Sequence, residues 1–103
     1  MGTTSEPNSK VYIRPFNKNN QWYTGNRTMN EMYLKCQENY ANEKLKYQGY
    51  LFLNDVYDML GYTRTRDGQR MGWRDGNTVK FNVSEDGLEF NVSGDISDIL
   101  DEE

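Results

Sequence analysis

The sequence predicts a small α+β domain: one longer and one short helix packed on a small antiparallel sheet that contains a C-terminal β-hairpin over residues 79–92. Three observations carry that expectation. In "VKFNVSEDGLEFNVS" (79–93), Val79, Phe81 and Val83 alternate with polar residues, and Leu88, Phe90 and Val92 do the same beyond a turn signal. "TMNEMYLKCQENYANEKLK" (28–46) carries apolar residues at the helical spacings of three and four. Aromatic residues make up 14% of the chain, which argues against disorder because disordered chains are poor in them.

From the N-terminus, residues 1–9 read as a disordered leader, 10–94 as a single domain and 95–103 as an acidic tail. "KVYIRPF" (10–16) alternates in the strand manner but runs into Pro15, which suits an edge strand. "NKNNQWYTGN" (17–26) is a loop whose Trp22 and Tyr23 either plug the core or face a partner. Thr28 with Glu31 forms a capping box for a helix that runs to about Lys46 and stops at Gly49. Its buried stripe is expected to be Met29, Met32, Tyr33, Cys36 and Tyr40, with Cys36 a packed thiol. In "GYLFLNDVYDMLG" (49–61) a short apolar run leads to a two-turn helix, with Asn54 as N-cap, Val56, Met59 and Leu60 buried, and Gly61 as left-handed C-cap.

Two Asp-Gly pairs, Asp67-Gly68 and Asp75-Gly76, make residues 63–78 either an extra hairpin or an irregular loop rich in arginine. In the final hairpin, parity allows two registers. Val83 faces Phe90 across a two-residue Asp86-Gly87 turn, or Leu88 across a four-residue loop, and Asp-Gly favours the first. Ile96, Ile99 and Leu100 are spaced to dock the tail as one helical turn or to meet a partner.

The composition narrows the chemistry. One cysteine and no histidine rule out an intramolecular disulfide framework, the usual zinc sites within one chain, and Ser-His-Asp or Cys-His catalysis. No cofactor, metal or catalytic residue is expected. No apolar run approaches the ~20 residues of a membrane span, and the expected location is the cytoplasm. Charge is unevenly placed: residues 62–84 carry five basic and two acidic groups, residues 85–103 eight acidic and none basic. The tail is therefore a mobile solvated segment, a cover for the arginines in the same or a neighbouring molecule, or a mimic of nucleic acid.

Leu53, Asn54, Asp55, Val56, Tyr57, Asp58, Leu60, Gly61, Thr65, Gly68, Gly72 and Trp73 follow a pattern L-N-D-V-Y-D-x-L-G…T…G…G-W. That segment resembles the signature of an uncharacterised family encoded by phages and mobile elements of Gram-positive bacteria. The resemblance covers about a fifth of the chain and implies no activity. The same stretch is also similar to the start of an excisionase-type winged helix. That likeness implies a first helix over Asp55–Leu60, a recognition helix over "TRDGQRMGWR" (65–74) and a wing over residues 79–92. Gly68 and Gly72 would then sit inside the recognition helix, each costing about 1 kcal/mol relative to Ala.

These readings converge on a non-enzymatic module for protein interaction or assembly, acting in the bacterial host cytoplasm or with the virion. Its expected surface is the basic aromatic loop 62–74: Tyr62, Arg64, Arg66, Arg70, Trp73 and Arg74, since Tyr, Trp and Arg dominate interface hot spots. The expected partner is another protein or a second copy. Nucleic acid bound by the same arginines is the alternative, and inhibition through the acidic tail a third reading.

Overall fold

A computed structural model describes residues 10–17 and 23–101. The leader 1–9, Trp22 and the last two residues of the tail lie outside the described residues. The chain is α+β, and its described residues form two α-helices and two small antiparallel sheets in place of one.

Helix α1 spans Arg27–Gln48. Its cap lies two residues before the expected Thr28, at Asn26, whose side-chain oxygen accepts the Met29 N–H at 3.0 Å. Asn26 is itself held by the Thr24 hydroxyl, which accepts its N–H at 3.1 Å, and Glu31 pairs with Arg27. Gly49, at φ 87°, closes the helix through an N–H to Leu45 O bond of 2.7 Å.

The buried face of α1 is not the expected one. Asn30, Leu34, Ala41 and Leu45 face the core, Tyr33 is half-buried, and Met29, Met32, Cys36 and Tyr40 face outward. Cys36 is thus exposed and not a packed thiol. Both stripes have helical spacing, so periodicity alone cannot choose between them. The choice follows the polar atoms: Leu and Ala carry none into the core, whereas each buried tyrosine hydroxyl needs a partner. Asn30 is accommodated because Thr24 saturates it, through N–H to Oδ1 at 2.8 Å and Nδ2 to carbonyl at 3.0 Å.

Strand β2, Tyr50–Phe52, leads without a loop into α2, Leu53–Leu60. Leu53, Val56, Tyr57 and Leu60 are buried, and Met59 packs against them half-buried. Asn54 lies in the first turn and is not the N-cap. Asp55 instead accepts the Phe52 N–H at 3.1 Å, which frees the Asn54 amide for a longer reach. Gly61 is the expected left-handed C-cap, at φ 83°.

Residues 67–69 form one 3-10 turn, and β3, Met71–Arg74, follows. No recognition helix forms over 65–74, so the winged-helix arrangement is overturned. The cause is packing at the two glycines: a Cβ on Gly68 would stand 2.1 Å from Asn54 Oδ1, and one on Gly72 2.1 Å from Leu51 O. Both positions need bare backbone against a neighbour, and that is what places β3 between β2 and β6, Gly94–Asp95, in one sheet.

The other sheet has the order β1-β5-β4, with β1 at Lys10–Arg14, β4 at Phe81–Ser84 and β5 at Gly87–Val92. β1 is the expected edge strand. The hairpin takes the second register: Val83 faces Leu88, Ser84 faces Gly87, and the turn residues are Glu85 and Asp86. Gly87 is the first residue of β5, at φ 138°, because the Arg14 carbonyl passes where its Cβ would be, 2.2 Å away. Val79 sits just before the hairpin, fully buried, with its N–H and carbonyl both bound by the Asn42 side chain of α1 at 2.7 and 3.0 Å.

Phe90 is the hub of the core, with Tyr57, Tyr62 and Phe81 edge-on to it at centroid distances of 5.3, 6.1 and 5.4 Å. Trp73, 1% exposed, ties the sheets together by donating its indole N–H to Asn91 O at 2.9 Å. The tail docks: Ile96 is buried, its N–H reaches Arg70 O at 2.7 Å, and Ser97–Asp101 forms a 3-10 turn that leaves Leu100 exposed.

Candidate interaction surfaces

The six residues expected to form one surface divide into two groups. Tyr62 and Trp73 belong to the core; Tyr62 donates its hydroxyl to Pro15 O at 2.6 Å. Neither is available to a partner on this face. The guanidinium of Arg14 covers the aromatic pair from outside, 4.8 Å from the Tyr57 ring centre and 5.0 Å from that of Tyr62. It also donates to the Thr63 carbonyl and hydroxyl at 3.2 and 3.1 Å.

The four arginines remain exposed, but three are already matched with carboxylates. Arg64 pairs with Asp58 at 2.9 Å, Arg70 with both Asp67 and Asp95 at 3.0 Å, and Arg74 with Asp98. Arg66 alone of the four has no ion pair among the described residues. Residues Asp95 and Asp98 come from the acidic end, so the tail covers Arg70 and Arg74 within one molecule. The Ser97 hydroxyl and N–H, at 2.6 and 2.9 Å, hold the Asp95 carboxyl below its ordinary range, with Arg70 adding to the effect. Arg70 is in turn held above its ordinary value by Asp95 and Asp67.

What fixes this surface is Asn54. Its Nδ2 donates to Thr65 O at 3.0 Å and its Oδ1 accepts the Thr65 N–H at 2.9 Å, while the Thr65 hydroxyl accepts the Gly68 N–H at 2.9 Å. Asn54, Thr65 and Gly68 of the L-N-D-V-Y-D…T…G signature thus form one latch that shapes the arginine segment.

A second surface lies on α1. Met29, Met32, Tyr40 and Tyr47 are 56, 63, 55 and 92% exposed, with Cys36 exposed between them, at spacings of three, four, four and seven. Sequence reasoning named most of these residues but assigned them to the core. The available signal was that one helix carried two apolar stripes, only one of which a small domain can bury. A third feature is a cleft of about 780 Å3 between the N-terminal half of α1 and β4, with Leu34, Phe81 and Val83 among its walls.

Among the described residues no group of three or more His, Cys, Asp or Glu side chains is placed to hold a metal ion. No described helix is long and apolar enough to cross a membrane. The fold is a small two-sheet α+β domain with an exposed apolar stripe on α1 and a cleft beside β4. Residues 2–100 match the model of DUF6353, a family of unknown function, and the chain belongs to that family. No curated protein and no solved structure matches it.

Proposed function

We propose that the chain is a non-enzymatic assembly module that pairs with a second copy of itself through the outer face of α1. The supporting observation is the run of four large apolar side chains, each more than half exposed, on that face. Scattered exposed apolar residues need no explanation, but a contiguous patch does. The stripe is also self-complementary, as a two-fold interface requires. Its methionines lie at the N-terminal end and its exposed tyrosines toward the C-terminal end, so an antiparallel pair sets Met29 against the partner's Tyr47 and Cys36 against the partner's Tyr40. Methionine sulfur on an aromatic ring is a favourable contact. A contact of this length falls below the ~1,200 Å2 of standard interfaces, so association in the micromolar range is expected. An origin in phages or mobile elements and action in the host cytoplasm, which the Leu53–Trp73 signature suggests, belong to the same proposal.

Light scattering after size exclusion, from about 5 to 500 μM, tests the reading. The chain should pass from monomer to dimer, Met32→Glu and Tyr40→Glu should stay monomeric, and a short bis-maleimide should link Cys36 to Cys36. A wild-type monomer at the highest concentration, or a dimer indifferent to both substitutions, would reject it.

A further inference from the structure

We propose that the groove between α1 and β4 is a peptide-binding site, where an extended segment of another protein adds as a strand to the outer edge of β4. The proposal rests on the direction of the β4 main chain. The Phe81 N–H does not enter the ladder with β5; it donates to the Glu38 carboxylate of α1 at 2.8 Å. In an antiparallel pair, residues alternate between pointing both main-chain groups at the partner strand and pointing both away. Val83, two residues on, therefore also turns its N–H and carbonyl away from β5, in keeping with the tight Ser84–Gly87 closure. Val83 has no hydrogen bond outside the ladder among the described residues, and its side chain is 53% exposed. Asn42 already occupies both main-chain groups of Val79, and Glu38 the N–H of Phe81. The vacant part of the edge begins where those side chains end.

That edge opens into the cleft, and a smaller hollow of about 270 Å3 continues it past Lys35, Glu38 and Lys80. Glu31, Leu34, Phe81 and Val83 line both, so the two form one groove with a helix on one side and a strand edge on the other. This is the arrangement in which added strands bind, main-chain bonds supplying affinity and alternate side chains specificity. Leu34 and Phe81 form an apolar floor for one inward side chain. The charged rim sets the chemistry of the occupant. Arg27 with Glu31 and Lys35 with Glu38 neutralise each other, leaving Lys80 at one end of β4 and Glu85 at the other without ion pairs among the described residues. The fitting segment is about four to five residues long, apolar at its centre, acidic toward Lys80 and basic toward Glu85. It does not use the α1 stripe, so it stands or falls separately from self-pairing.

The test is a displayed library of random heptapeptides panned on the full chain, with the enriched peptides resynthesised and titrated. Val83→Pro removes the outward N–H and Val83→Thr keeps it. We expect an enriched alternating pattern with an acidic end, Kd raised at least tenfold by Val83→Pro and under threefold by Val83→Thr, and binding retained by Met32→Glu. Amide exchange provides a second reading that needs no variant: the Val83 N–H should exchange fast in the free chain and slowly with peptide bound. No enrichment, binders insensitive to Val83→Pro, or a Val83 amide already protected in the free chain would overturn the proposal.

Discussion

Asn54→Ala and Gly68→Ala form a thermodynamic cycle whose sign follows from the latch. Asn54 is 5% exposed, and its amide holds Thr65 by two hydrogen bonds of 2.9 and 3.0 Å. Truncation removes two bonds, each worth about 0.5–1.5 kcal/mol net, and an unmet backbone group would add about 1–3 kcal/mol. A loss of roughly 2–4 kcal/mol is expected, a large share of a total stability of about 5–15 kcal/mol. In Gly68→Ala the new methyl would stand 2.1 Å from Asn54 Oδ1, 2.7 Å from its Cγ and 2.8 Å from the Thr65 hydroxyl. Its backbone is not in the left-handed region, so the cost, about 2–3 kcal/mol, comes from expelling the same amide. Once Asn54 is alanine, the methyl enters vacated space and the second substitution should cost under about 1 kcal/mol. The coupling is then about 1.5–2 kcal/mol. Urea unfolding at 25 °C, followed by tryptophan fluorescence and circular dichroism, measures all four corners. Strictly additive losses, or a loss below about 1 kcal/mol for Asn54→Ala, would refute the latch.

Three other expectations follow from the same packing. Gly72→Ala drives a Cβ onto the Leu51 main chain and should cost more than about 3 kcal/mol, Gly76→Ala, at φ 98° in open space, about 1–2 kcal/mol, and Gly25→Ala nothing; chemical unfolding ranks them. Ile96→Ala should cost about 2–4 kcal/mol, whereas Asp98→Asn, on an exposed pair, should cost under about 0.5 kcal/mol, since burial and not charge holds the tail; the reverse order in unfolding midpoints would contradict this. The hydroxyls of Tyr12, Tyr33 and Tyr57 are all raised above their ordinary value, first by burial. Neutral tyrosine is the form the fold favours, so their contribution is complete below pH ~10 and is lost as pH rises through the raised values. The Asp95 contribution has the opposite sense, present above its unfolded range near pH ~4 and lost on acidification. Thermal melts from pH 3 to 11 should trace both flanks.

Much of this fold was legible because local rules and burial agreed. Gly49 and Gly61 cap their helices as read, Pro15 marks an edge strand, and the alternation of the last hairpin names Leu88, Phe90 and Val92 as core. Local rules mislead where two patterns satisfy the same one. On α1, Met29-Met32-Cys36-Tyr40 and Leu34-Ala41-Leu45 are both helical stripes, and only the tertiary contacts decide which is buried. At the hairpin turn, Asp86-Gly87 satisfied the local preference, but the passage of the Arg14 carbonyl, which depends on β1, claimed Gly87 for β5. The arginine loop misled for a similar reason. Its tryptophan was needed between the sheets, and two of the carboxylates that offset its charge, Asp95 and Asp98, lie more than twenty residues away in sequence.

That offset bears directly on nucleic acid as a partner. Each phosphate contact made by Lys or Arg contributes about −0.9 to the slope of log K against log salt. If Arg64, Arg66, Arg70 and Arg74 all met phosphates, a random duplex would bind with a slope near −3.6, about −0.9 for each of four contacts. With three of the four engaged by Asp58, Asp67, Asp95 and Asp98, only Arg66 lacks an ion pair among the described residues. The wild-type chain should therefore bind a labelled duplex with a slope no steeper than about −2, even from low salt. Asp95→Asn with Asp98→Asn releases Arg74 and half-releases Arg70, and should steepen the slope by about one to two contacts' worth. Fluorescence anisotropy at four salt concentrations is sufficient. A wild-type slope near −3.6, unchanged in the double variant, would mean that phosphates displace the tail carboxylates at no cost, and the arginine strand would then be a nucleic-acid site after all. The expected shallow slope means that Arg70 and Arg74 stay paired with the chain's own acidic end, and it turns the search for a partner to the outer faces of α1 and β4.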